Sequence, residues 1–84
     1  MKRIYNKIPL SSVLYLISGA QEIVVYDVDN TAWKEYADKR IVYSGLVSNF
    51  YSYTTYTIGR SEVHGIDVED GKLVFTICTK YDEY

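Results

Sequence analysis

The stretch SEVHGIDVEDGKLVFTICTK, Ser61 to Lys80, decides how the rest of the chain is read. Two runs rich in β-branched residues flank Asp70-Gly71, a dipeptide that favours the type I′ turn of a two-residue hairpin because both of its residues tolerate positive φ. The chain therefore ends in two antiparallel strands. Cys78 stands inside the apolar run LVFTIC, where a thiol behaves as a small buried hydrophobe.

Working back from this hairpin, EIVVYDV (Glu22 to Val28) is a compact strand bounded by the turn formers Asp29 and Asn30. RIVYSGLV (Arg40 to Val47) has the same character, and Tyr26 and Tyr43 are expected to pair across these two strands. The connection DNTAWKEYADK is longer than a tight hairpin needs and reads as a projecting loop around Trp33. Upstream, Leu10, Val13, Leu14 and Ile17 fall at i, i+3, i+4 and i+7, which predicts an amphipathic helix from about Leu10 to Ser18. Ser11 or Ser12 would cap its start, and Gly19 would close it in a left-handed turn. Between the strand pairs, the β-branched threonines argue for a strand, whereas Ser48 can cap a helix running to about Thr57, and a short helix or helical turn is the preferred of the two. The expected fold is α+β, in the order α-β-β-α-β-β, with a four-stranded antiparallel sheet and short helices on one face. Residues 1–84 form a single domain on this reading.

The composition narrows the function by exclusion. A chain of 84 residues buries only about 60–65% of the surface that its unfolded form exposes, so association between copies would add stability. The formal net charge of -2 provides neither a basic groove for nucleic acid nor the carboxylate array of a DNA mimic. Lys2, Arg3, Lys7, Lys34, Lys39 and Arg40 are offset by eleven carboxylates, a balance that argues against nucleic acid as a partner. A single cysteine makes neither a disulfide framework nor a zinc ligand set, as suits a reducing cytoplasm. No run has the length of a membrane span or the pattern of a signal peptide, and the expected location is cytoplasmic.

Two local motifs suggest chemistry and lack the parts to perform it. IVVYDVDNTA, with Asp27, Asp29 and Thr31, resembles the first motif of the haloacid dehalogenase-like phosphatases. That resemblance implies Asp27 as nucleophile and Asp29 as general acid and base, and it covers ten residues only. The magnesium site and doubly wound parallel sheet that such chemistry requires find no room in a chain of hairpins. The same segment partly matches a calcium loop through Asp27, Asp29, Thr31, Glu35 and Asp38, but Ala32 stands where glycine is needed and Asp38 where a bidentate glutamate is needed. His64 has no nucleophile placed beside it in the sequence. No catalytic residue, metal site or cofactor is assigned.

The tyrosines carry what remains. Ten of them accompany two phenylalanines and one tryptophan, more phenol rings than a core of this size can enclose with every hydroxyl partnered. In NFYSYTTYTIGR, Asn49 to Arg60, the rings Tyr51, Tyr53 and Tyr56 fall in a connection, where rigid amphipathic side chains make contact surfaces.

The succession L..LISGAQEIVVYD, IVYSGLVSNF with its Y-x-G strand, and V.GIDVEDGKLVFTI resembles the small proteins encoded by phages and mobile elements of Firmicutes and other gut bacteria. The resemblance covers most of the chain, is one of style, and implies a setting in which small proteins antagonise host defence. One expectation is a homo-oligomer that sequesters a cyclic or ADP-ribose-derived nucleotide messenger in pockets between subunits, with rings stacking on the base and Arg60 or Arg40 on phosphate. The alternative is a protein-protein inhibitor of a bacterial defence effector that uses Trp33 and the connecting tyrosines as anchors. A small phosphatase or other enzyme ranks third.

Overall fold

The computed structural model describes residues 8–28 and 39–78. Strands β1 (Glu22–Val28), β2 (Lys39–Leu46), β3 (Glu62–Glu69) and β4 (Lys72–Cys78) form one sheet in the order β2-β1-β4-β3. The β3–β4 turn is the expected one, with φ of 52° at Asp70 and 78° at Gly71.

The sheet is mixed and not wholly antiparallel. β1 pairs antiparallel with β2 and β4 antiparallel with β3, but β1 and β4 run parallel in the centre, with Val25 opposite Phe75. The reason is the route of the chain. It leaves the edge strand β2, crosses one face through helical turns, and enters the opposite edge strand β3 in the same direction as β2. Turning back at Asp70-Gly71 then aligns β4 with β1.

The helical turns cover one face and make the core there. Leu10 and Leu14 from α1 (Leu10–Leu14), Val47, and Phe50 from α2 (Phe50–Tyr53) pack with Ile23, Val25, Tyr43, Phe75 and Ile77. The opposite face carries Val24, Tyr26, Val74 and Cys78, which stand outside this cluster. Tyr26 and Tyr43 therefore do not pair: Tyr43 lies opposite Val25 on the core face, and Tyr26 lies opposite Ile41 across an irregularity in register on the other.

α1 is shorter than its apolar spacing suggests. Pro9 precedes it without a side-chain cap, and after Leu14 the chain continues as single turns in which the Leu16 and Ile17 amides donate to the Val13 and Leu14 carbonyls. Gly19 is not in the left-handed region. The expected second helix is likewise divided, into a 3₁₀ turn (Val47–Asn49), α2, and α3 (Tyr56–Arg60). Two threonines divide it. The Thr54 hydroxyl donates to the Phe50 carbonyl at 2.7 Å, and the Thr55 hydroxyl accepts from the Ile58 amide at 3.4 Å and caps α3. Threonine hydroxyls that bond the nearby backbone in this way compete with a continuous helix.

The Y-x-G strand has a local cause. Gly45 sits at φ +153°, and a Cβ there would lie 2.9 Å from the Tyr43 hydroxyl oxygen. The missing side chain lets the Tyr43 ring lie along its own strand, where its hydroxyl donates to the Leu46 carbonyl.

Candidate functional site

The division between α2 and α3 opens a groove of about 500 Å³ on the surface. It is lined by Tyr51 and Tyr56, by Arg60 and Gly59 of α3, by Thr54 and Thr55 between the two helices, and by Pro9 and Ser11 at the start of α1. Its size falls within the range of small-molecule sites, about 300–1,000 Å³.

Each ring is positioned by a different device. Phe50 is fully buried and meets Tyr43 edge to face at 5.2 Å between ring centres. Tyr51, the next residue, meets Phe50 edge to face at 5.1 Å, so its tilt is tied to the core although 64% of it is exposed. Tyr56 and Arg60 are four residues apart on α3 and so share one side of it. The Arg60 guanidinium lies 5.5 Å from the centre of the Tyr56 ring, a cation–π pair that holds both side chains at the rim. Gly59 is buried beneath them, and a Cβ there would lie 3.7 Å from Tyr51 and 3.9 Å from Ser11.

The structure thus brings together Tyr51, Tyr56 and Arg60 from the six residues expected to bind. Tyr53 is 74% exposed but does not line the groove. It lies near Tyr43, whose hydroxyl is pushed up from the ordinary phenol range by burial and then by Tyr53. Arg40 is elsewhere, at the start of β2, where its guanidinium reaches the Asp27 carboxylate at 3.0 Å. The Asp27 side chain is 6% exposed and that of Arg40 72%, so a buried carboxylate is met at the surface by a largely solvated partner. Trp33 falls outside the described residues, as do Asp29, Thr31, Glu35 and Asp38 of the calcium-like segment.

Sequence reasoning passed over Pro9, Ser11, Thr54, Thr55 and Gly59. The Thr-Thr pair was the available signal, because adjacent threonines interrupt a helix and an interruption leaves a hollow. Among the described residues, no group of three His, Cys, Asp or Glu side chains is disposed to hold a metal ion. No helix among them is long and apolar enough to cross a membrane. His64 Nε2 lies 3.8 Å from Glu62 Oε1, too far for a hydrogen bond.

Chemically, the groove offers ring faces for stacking, hydroxyls for hydrogen bonding and one cation for an anionic group. Comparison with protein families, with curated proteins and with solved structures finds no match for this chain.

Proposed function

We propose that the chain is a non-enzymatic binding protein that sequesters a small nucleotide messenger in the α2–α3 groove, as a homo-oligomer acting against a bacterial defence pathway. The observation that carries this reading is the convergence of Tyr51, Tyr56 and Arg60 on one groove of small-molecule size. A base stacks on an exposed ring, and the guanidinium meets the phosphate through its fork of N–H donors. Association of copies is supported by Tyr15, Leu16, Ile66 and Val68, large apolar side chains left exposed on a chain of this size.

The test is to incubate the purified protein with a nucleotide extract and identify what remains bound after gel filtration. A retained nucleotide whose retention is lost in Tyr56→Ala supports the reading. An extract that leaves nothing bound overturns it. Tyr53, exposed and outside the groove, favours a second reading, in which the tyrosine-rich face caps a defence effector protein. In that case Tyr53→Ala would weaken capture of the effector, whereas a nucleotide in the groove would be indifferent to the change.

A further inference from the structure

Gly59 is a buried residue of α3 whose backbone gives no reason for glycine. It has helical geometry, and the positive-φ glycines among the described residues are Gly45 and Gly71. A Cβ built on it would lie 3.7 Å from Tyr51, 3.8 Å from Phe50 and 3.9 Å from Ser11. Those are ordinary contact distances, so the packing of α3 against α1 and α2 would accept a methyl group. Glycine inside a helix is also less stable than alanine, because its backbone loses more freedom on folding. Glycine serves a left-handed backbone, a tight approach of two chain segments, or a close approach of the backbone to a ligand, and only the last fits this position. Resting on the nucleotide reading above, we infer that Gly59 sets the depth of the groove: it keeps open the floor that receives the edge of the stacked base.

The surroundings of Gly59 assign that floor to the base. Tyr51 and Ser11, which an added carbon would touch, line the groove together with Gly59, so a methyl group there would stand in the hollow itself. Tyr56 lies three residues earlier on α3 and shares its side of the helix, while Tyr51 meets Gly59 from α2. The glycine thus adjoins both stacking rings. Arg60, the next residue, leaves the helix about 100° further round, away from the direction that Gly59 faces. A phosphate held by Arg60 therefore lies clear of a methyl group at Gly59, and a base between the rings does not.

The experiment compares the full chain with its Gly59→Ala variant by melting curves and by calorimetric titration with adenosine, AMP, cyclic AMP and ADP-ribose, and with the guanine counterparts. Gly59→Ala should melt no lower than the unmodified chain, with a gain of up to about 8 °C, because alanine suits the helix better. It should nevertheless bind about tenfold more weakly, since the methyl group overfills the floor. The two readings move in opposite directions, which a purely structural glycine would not produce. The fold-loss should be the same for a nucleoside and for its nucleotides, because the methyl group meets the base that they share. A lower Tm in Gly59→Ala, an unchanged affinity, or a loss confined to the phosphate-bearing ligands overturns the role assigned to Gly59 and leaves nucleotide binding standing. Failure of every nucleoside and nucleotide to bind the unmodified chain overturns both.

Discussion

Two arginines divide the molecule into regions of different kind. Arg40 lies on an edge strand and reaches the carboxylate of Asp27, whose side chain is almost wholly enclosed at the end of β1. Arg60 lies on the last turn of α3 with its guanidinium over a tyrosine that is 81% exposed. The first contact is directed into the fold. The second is directed outward, onto a ring that the core does not need. A charge that completes a structural pair and a charge that waits at a groove look alike in sequence; burial of the partner separates them.

The largest effect that should sharpen this contrast is at Phe50, which joins the core to the groove. Phe50→Ala should cost about 3–5 kcal/mol and lower Tm by more than about 10 °C, and it should abolish binding as well, since Tyr51 loses the ring that sets its tilt. Tm and affinity measured on one preparation check this. A variant that melts early yet binds normally would uncouple the two regions.

Next is Gly45, on the structural side alone. Gly45→Ala places a methyl group against the Tyr43 hydroxyl in a backbone conformation that L side chains rarely adopt. A loss of about 1–3 kcal/mol is expected, with ligand affinity unchanged at temperatures where the variant is folded. Chemical denaturation gives the first quantity and titration the second.

Smaller again is the effect at the ion pair. Arg40→Gln should lower stability by about 1 kcal/mol, because the guanidinium is largely solvated, and should leave the groove unaffected. Arg60→Gln should show the reverse, with Tm unchanged and binding reduced. If Arg40→Gln also reduced binding, the boundary drawn between the regions would be wrong.

The smallest effect lies in the response to pH. The Tyr43 phenol has its folded value raised, so its neutral form is the one the fold favours. Its contribution is complete below the ordinary tyrosine value of about 10 and is lost as pH rises through that value toward the folded one. Tm should fall more steeply above about pH 10 in the unmodified chain than in Tyr43→Phe. Equal slopes would show that the hydroxyl is better solvated than its setting implies.

How much of this was legible beforehand follows the same division. The span of β1 and the Asp70-Gly71 turn are local properties, written in a β-branched run and in a dipeptide that tolerates positive φ, and both stand in the structure as expected. The parallel pairing of β1 with β4 depends on a crossover between distant segments, and no local residue pattern specifies it. A clue lay in the run LVFTIC, nearly continuous in apolar residues, as suits a central strand buried on both faces, with Phe75 and Ile77 enclosed on one and Val74 and Cys78 on the other. The tyrosines of the connection were visible by composition, but which of them share a groove depends on where Thr54 and Thr55 interrupt the helix. That interruption turns Tyr53 away from the lining while keeping Tyr51 and Tyr56 in it.

The most direct measurement is the affinity of Tyr56→Ala for the nucleotide retained by the unmodified chain, taken with its melting curve. Loss of a stacking ring worth roughly 1–3 kcal/mol corresponds to a fall in affinity of about 5- to 150-fold, and with this ring exposed Tm should stay within about 2 °C. Full affinity in Tyr56→Ala, or a loss only in proportion to unfolding, would contradict the assignment of the α2–α3 groove as the binding site.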